Sequence, residues 1–171
     1  AKTDPKRIAY AEGEDLRVLR AVQIAVDEGL AFPILVGRTS VIEANIKKLG
    51  LRLEHGINIE IVDQENNPHY EKFADDYYQT MQRKGVTPEY AQRESRRRST
   101  LIASMLVKHG HADGMLCGTY SSYDIHLDFV KNVIGLEEGR STCFTLNALM
   151  LQDRNLFIAD TYVNTNPTAE Q

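Results

Sequence analysis

Four arginines in one short segment are the residues best suited to binding chemistry. The segment reads Arg93-Glu94-Ser95-Arg96-Arg97-Arg98-Ser99-Thr100. Guanidinium groups bind phosphate oxygens in pairs, and a helix N-terminus beside them would add free N–H donors. The segment therefore predicts a site for phosphate or pyrophosphate. A solvated, arginine-rich helix face is also typical of this pattern, so both interpretations stay open at this point.

A run of hydroxyl side chains forms a second candidate. It reads Gly118-Thr119-Tyr120-Ser121-Ser122-Tyr123-Asp124 and lies between a predicted strand and a predicted helix. Hydroxyls and free backbone N–H groups in such a turn can hold an anion. The run contains neither G-x-G-x-x-G nor G-x-x-x-x-G-K, which excludes a dinucleotide fingerprint and a P-loop. A plain strand-to-helix turn, with serine and aspartate as caps, is the alternative.

Other chemical signatures are weak. Asp124, His126 and Asp128 have the side chains of metal ligands, but alternate positions on a helix do not face one another. His109 and His111 have no evident ligand partner, and neither G-x-S-x-G nor H-E-x-x-H is present. The residues predict no metal site and no catalytic residue. Pattern alone indicates an α/β domain with an anion site.

Around these residues, the apolar periodicity of the sequence predicts alternating strands and helices. Strands are predicted at 7–11, 32–36, 57–61, 115–118, 143–151 and 156–159; helices at 15–28, 41–49, 70–84, 87–106 (disturbed near 98–99) and 124–134. This alternation predicts a mainly parallel sheet with helices on both faces. Ligands bind beyond the carboxyl ends of such strands, which selects Glu12-Gly13, 118–123 and 160–164.

Composition limits the possible partners. The net charge is −4 in 171 residues, which does not favour nucleic acid or acidic lipid. The longest apolar run, Phe32 to Val36, is far too short to span a membrane. Cys117 and Cys143 form no C-x-x-C pair and each lies in an apolar stretch, which predicts buried thiols in a reducing compartment. The predicted location is therefore the cytoplasm.

The last residues have the pattern of a helix start. Asn166 would be the cap, Pro167 would occupy the first turn, and Glu170 would lie near the positive end of the dipole. This pattern predicts that the sequence continues in a longer parent protein.

Several stretches together resemble the phosphotransacetylase family, the phosphate acetyl- and butyryltransferases. They are Ala11-Glu12-Gly13-Glu14-Asp15-Leu16-Arg17-Val18-Leu19, Lys84-Gly85-Val86-Thr87-Pro88, Ala112-Asp113-Gly114-Met115-Leu116-Cys117-Gly118 and Phe157-Ile158-Ala159-Asp160-Thr161-Tyr162-Val163-Asn164. Order and spacing match over nearly the whole chain. Other stretches are more similar to the phosphotransacetylase-like domain of bacterial NADP-dependent malic enzymes: Pro33-Ile34-Leu35-Val36-Gly37-Arg38 with Val41-Ile42-Glu43, Val130-Lys131-Asn132-Val133-Ile134-Gly135, Leu146-Asn147-Ala148-Leu149 and Ile158 to Asn164.

The resemblance implies a layered αβα fold with two lobes, related to the isocitrate and isopropylmalate dehydrogenases, with a cleft between the lobes. Residues 1–140 would form the first lobe, and residues 141–171 would begin the second, leaving the fold incomplete. A phosphate-binding arginine of the family falls on Arg97. A second falls on Asp128, where an acid would repel phosphate. The family's serine–arginine–aspartate segment would lie beyond Gln171, so the fragment is expected to be inactive alone.

The resemblance leads to a primary functional hypothesis and two alternatives. The first is a regulatory and oligomerisation domain of a malic enzyme that senses acetyl-CoA, with malate oxidation by NADP and a divalent metal in a separate domain. Its partners would be acetyl-CoA or phosphate, the parent malic enzyme domain and a second copy. The predicted ligand-binding residues are Arg97, Ser121, Ser122, Tyr123, Asp160 and Asn164. The alternatives are the first part of an active phosphate acetyltransferase or butyryltransferase, and a purely structural interaction domain.

Overall fold

A computed structural model describes residues 1–168, which form two compact units. The first unit is Ala1–Ile134 and the second begins at Gly135. The elements in chain order are β1 (Lys6–Tyr10), α1 (Leu16–Asp27), β2 (Ala31–Gly37), α2 (Thr39–Leu49), β3 (Glu60–Asp63), α3 (Tyr70–Met81), a short 3-10 helix (Gln82–Lys84), α4 (Pro88–Arg97), α5 (Ser99–Lys108), β4 (Gly114–Leu116), α6 (Tyr123–Val133), β5 (Leu146–Met150) and β6 (Asn155–Ala159).

The first unit is built on a parallel sheet of four strands in the order β3-β2-β1-β4. Alternate side chains of β2 enter two separate apolar clusters, one on each face of the sheet. Ile34 and Val36 pack with α3 and α5, whereas Leu35 packs with α1 and α2. Both faces are covered by helices, which explains why β2 is apolar along its length. The predicted layered α/β fold with a mainly parallel sheet is confirmed.

Capping residues set the helix ends as their chemistry predicts. The carboxylate of Asp15 accepts hydrogen bonds from the N–H groups of Arg17 (2.7 Å) and Val18 (3.4 Å) and so caps α1. Thr87 caps α4 by accepting a hydrogen bond from the N–H of Tyr90 (3.2 Å). Arg98 is extended, with φ −98° and ψ 99°, and separates α4 from α5. The disturbance predicted near Arg98 is therefore a real break between two helices.

Three local predictions were wrong. The third strand begins at Glu60, and Ile57 is 71% exposed because residues 54–58 form a hydrogen-bonded turn before the strand. Cys117 is exposed because it follows the last residue of β4, and Cys143 is only half-buried. The strand predicted at 143–151 is confined to Leu146–Met150.

The second unit contains a β-hairpin. β5 pairs antiparallel with β6, and its register joins Leu146 to Ala159 and Met150 to Asn155. A connection this short permits only antiparallel pairing, because a parallel pair needs a long crossover. The helix predicted to start at Asn166 falls partly on residues 169–171, outside the described residues. The division into lobes at 140/141 stays a prediction.

No helix within residues 1–168 has the length and apolar character needed to cross a membrane.

Candidate functional site

A cavity of about 390 Å³ lies at the carboxyl ends of the parallel strands, within the first unit. Its walls come from the segments that follow β1, β2 and β3, from the junction of α4 and α5, from the turn before α6 and from α6 itself. This is the edge of the sheet where parallel α/β folds bind ligands. The arginine segment and the hydroxyl run, far apart in sequence, both reach it.

The three arginines of the α4–α5 junction that line the cavity have different surroundings. The guanidinium of Arg96 lies 4.1 Å from the ring centre of Tyr70, and Arg98 Nε donates to Glu94 Oε2 at 2.8 Å. Arg97 has no hydrogen-bond or ion-pair partner among residues 1–168, although it faces the cavity. Arg97 is therefore the arginine whose charge is free to meet a ligand.

A buried carboxylate organises this wall. Glu94 is only 4% exposed and accepts hydrogen bonds from both Arg98 Nε and Arg93 Nε (3.3 Å). The hydrogen bond to Glu94 raises the pKa of Arg98. The pairing also holds the extended residue that separates the two helices.

Because of that break, the N-terminus of α5 opens into the cavity. Ser99 and Thr100, the first residues of α5, line the cavity, and no side chain of residues 1–168 caps this end of the helix. Uncapped N–H groups and the positive end of the helix dipole favour an anion. They add to the charge of Arg97 on the same wall.

The opposite wall contains carboxylates that already have partners. Glu12 is 3% exposed and accepts hydrogen bonds from the Gly118 N–H (3.0 Å) and the Thr119 hydroxyl (3.5 Å). Glu14 accepts from Arg38 at both Nε (2.9 Å) and Nη2 (2.8 Å), and this pairing lowers the pKa of the carboxyl. Glu14 is thus paired with a cation, whereas Glu12 is held by neutral donors.

The turn before α6 carries unusual backbone geometry. Gly118 has φ 100° and Ser121 has φ 75°, and the left-handed region is unfavourable for a residue other than glycine. Ser121 lines the cavity, and so does His126, three residues into α6. Both also line a second cavity of about 350 Å³, whose other walls include Cys117, Tyr123 and Leu127.

The whole chain, residues 1–171, matches the family model described as "Phosphate acetyl/butaryl transferase". The chain belongs to this family.

The relatives of this chain in the phosphate acetyl/butyryl transferase family include malic enzymes and phosphate acetyltransferases. The chain is 49% identical over 171 residues to the NADP-dependent malic enzyme of Haemophilus influenzae and 47% identical to that of Escherichia coli. It is 32% identical over 171 residues to the phosphate acetyltransferase of Nitratidesulfovibrio vulgaris. The matches take in all of this chain but only 23%, 22% and 24% of those three proteins, respectively.

Solved structures of the phosphotransacetylase type share the fold. The phosphotransacetylase of Streptococcus pyogenes superimposes with a TM-score of 0.84 at 27% identity, over 96% of this chain and 49% of that chain. EutD phosphotransacetylase of Staphylococcus aureus, at 22% identity, superimposes with a TM-score of 0.80 over 97% of this chain and 49% of its own. This chain thus spans about half the length of those proteins.

The structure brings some of the predicted site residues together. Arg97 and Ser121 line the same cavity, while Ser122 and Tyr123 begin α6 beside it. Asp160 and Asn164 form a separate pair within the second unit, where Asn164 Nδ2 donates to Asp160 Oδ2 at 2.9 Å. The assignment of all six residues to a ligand site stays a prediction.

Asp128, the position of the reversed charge, is exposed on α6 and lines neither cavity. α6 presents Ile125, His126 and Phe129 to the larger cavity instead. The carboxylate of Asp128 therefore adds no negative charge to the cavity wall.

Two polar pairs at the cavity were missed from the sequence. Glu14 pairs with Arg38, and Thr100 Oγ1 lies 2.8 Å from His126 Nδ1. The partners are 24 and 26 residues apart, so no local spacing links them. The only available signal for the first pair was that Glu14 and Arg38 each follow a predicted strand.

Proposed function

We propose that this chain is a regulatory domain that senses acetyl-CoA within a bacterial NADP-dependent malic enzyme. The observation that carries the proposal is the free guanidinium of Arg97, which faces a cavity at the carboxyl ends of the sheet. The uncapped N-terminus of α5 opens on the same cavity. Coenzyme A carries several phosphate groups, which suit a guanidinium and a helix N-terminus.

The relatives favour the malic enzyme context. Identity is 47–49% with the malic enzymes of three bacteria and 32% with a phosphate acetyltransferase. In this proposal, malate oxidation with NADP and a divalent metal belongs to a separate domain of the same polypeptide. The domain described here contributes ligand binding and contacts between copies, in the cytoplasm.

The first test measures acetyl-CoA binding by calorimetry. Arg97→Ala removes one guanidinium–phosphate contact, which should cost on the order of 2 kcal/mol, or roughly thirtyfold in affinity. Arg20→Ala is the matched control, because it removes an equal charge from an exposed position on α1 that does not line the cavity. Equal affinities in the wild type and Arg97→Ala would remove Arg97 from the site.

The alternative, an acyltransferase, is favoured by the likeness to phosphotransacetylases. We expect no measurable phosphate-dependent release of CoA from acetyl-CoA by this chain. Among the described residues, Arg97 is the cavity arginine that has neither a hydrogen bond, an ion pair nor a ring contact, and α6 has an acid where the resemblance implies a second arginine. Release above a heat-killed control would support the acyltransferase instead.

A further inference from the structure

His126 connects three elements around the larger cavity. Its Nε2 lies 2.8 Å from the carbonyl oxygen of Tyr120, and its Nδ1 lies 2.8 Å from the hydroxyl of Thr100. Tyr120 precedes Ser121, the residue with a left-handed backbone. The imidazole thus joins the turn before α6 to the first turn of α5, at the point where both line the cavity.

The carbonyl of Tyr120 determines which nitrogen of the neutral His126 ring carries the hydrogen. A carbonyl oxygen can only accept, so Nε2 must carry the hydrogen, and in the neutral ring Nδ1 is then an acceptor. The Thr100 hydroxyl therefore donates its hydrogen to Nδ1. Thr100 is 5% exposed and lines the cavity, so other partners for its hydroxyl would have to come from the cavity side. In this state the hydroxyl hydrogen is unavailable to an anion in the cavity.

Protonation reverses the direction of that hydrogen bond. Protonated Nδ1 donates to the Thr100 oxygen, and the hydroxyl hydrogen is released to turn toward the cavity. The bond to the Tyr120 carbonyl is unchanged, because Nε2 remains a donor. One proton taken up by the ring therefore adds both a positive charge and a hydroxyl donor to the wall.

We propose that His126 and Thr100 form a proton-dependent donor in the anion site, so that binding of a phosphate-like anion takes up a proton at His126. The inference rests on the anion site of the proposed function. Histidine side chains in general change charge between about pH 5 and about pH 8, which is the range over which binding should be compared.

Other charged side chains also line the cavity. The cations are Arg38, Arg96, Arg97 and Arg98, and the carboxylates are Glu12, Glu14 and Glu65. Pairing with Arg38 lowers the pKa of Glu14, and the bond to Glu94 raises the pKa of Arg98. Burial raises the pKa of Tyr120 and that of Cys117 in the neighbouring cavity, so both stay neutral. Tyr123 also lines that second cavity.

Inorganic sulfate is the probe, because its charge is constant in this range whereas phosphate titrates. Its affinity for the chain is measured by NMR titration at about pH 6 and about pH 8. We expect sulfate to bind roughly tenfold more tightly at the lower pH, which corresponds to one pKa unit of coupling. In His126→Gln the amide can replace both hydrogen bonds but cannot take up a proton, so the affinity should be independent of pH.

Variants at Thr100 provide a second arm that does not depend on how His126→Gln folds. Thr100→Ser keeps the hydroxyl and should keep the pH dependence, whereas Thr100→Val removes the hydroxyl and should weaken it. Equal sulfate affinity at both pH values in the wild type would overturn the inference and leave the proposed function standing. A pH dependence that survives in His126→Gln would also overturn it. Failure of both sulfate and acetyl-CoA to bind would overturn the anion site as well.

Discussion

Glu94 shows how a single buried charge shapes the arginine wall. Its side chain is almost completely buried and accepts hydrogen bonds from two arginines of the segment. Arg98 is thereby held in the extended conformation that ends α4, while Arg97 keeps no partner among the described residues. The same run of arginines therefore divides into structural residues and one residue free to bind a ligand.

Replacing Glu94 should cost stability. In Glu94→Ala two arginines lose a charged acceptor and a buried space is left, so the free energy of unfolding should fall by about 1–3 kcal/mol. Glu94→Gln keeps the shape and part of the hydrogen bonding and should cost less. Urea unfolding of both variants checks this order. Equal stability of Glu94→Ala and the wild type would show that the carboxylate does not hold the junction.

The sequence predicted the arginine cluster but not the individual contacts of its members. The cluster itself was evident in the sequence. Whether each arginine has a structural or a ligand-binding role depends on whether its side chain faces Glu94, Tyr70 or the cavity. Those distances come from helix rotation and from the break at Arg98, which residue spacing indicates only as a disturbance. The link between His126 and Thr100 depends on how α6 packs against α5, and that packing has no local signature.

At the scale of elements, helix starts and strand order were more accessible. Asp15, Thr87 and the proline that follows Thr87 mark two helix starts through the chemistry of capping. Periodicity also located the four parallel strands, apart from the start of β3. The pairing of β5 with β6 could not be predicted from periodicity, because periodicity locates strands but does not identify which strands pair.

The cap of α1 provides a test with a defined pH range. Its hydrogen bond with Arg17, the largest cause, and the helix N–H groups lower the pKa of Asp15 from 3.8 to about 2. A depressed carboxyl pKa stabilises the fold above 3.8, and the contribution is lost as the pH falls from 3.8 towards 2. Asp15→Ala should lower the unfolding free energy by about 1 kcal/mol at neutral pH.

Asp15→Asn is the matched control, because asparagine also caps helices but does not titrate. It should retain most of the neutral-pH stability while losing this part of the acid dependence. Thermal unfolding of the three proteins between neutral pH and about pH 2 measures both effects. An acid dependence in Asp15→Asn that matches the wild type would assign it to other carboxyls.

At the scale of the whole molecule, the second unit exposes a large share of apolar side chains. In the hairpin, Leu146 and Phe157 are each 65% exposed and Met150 is 84% exposed. A two-stranded hairpin is only marginally stable alone, and exposed apolar patches usually mark contact surfaces. These exposed apolar side chains are consistent with the proposed oligomerisation, in which another copy would cover the hairpin.

We expect the chain to self-associate as its concentration rises through the micromolar range. Phe157→Lys places a charge on the apolar hairpin and should shift the equilibrium towards monomer. Ile57→Lys is the control, because Ile57 is an equally exposed apolar residue of the first unit. Light scattering gives the mass of each variant. A constant monomer mass in the wild type would contradict this use of the hairpin.

In the proposed function, acetyl-CoA acts on a malic enzyme through Arg97. The most direct measurement is malate oxidation by the full polypeptide that carries this chain, with NADP and a divalent metal, at increasing concentrations of acetyl-CoA. We predict that acetyl-CoA changes the rate, that Arg97→Ala requires roughly thirtyfold more of it, and that Arg20→Ala responds like the wild type. A rate that does not change with acetyl-CoA, or an Arg97→Ala enzyme that responds at wild-type concentrations, would contradict it.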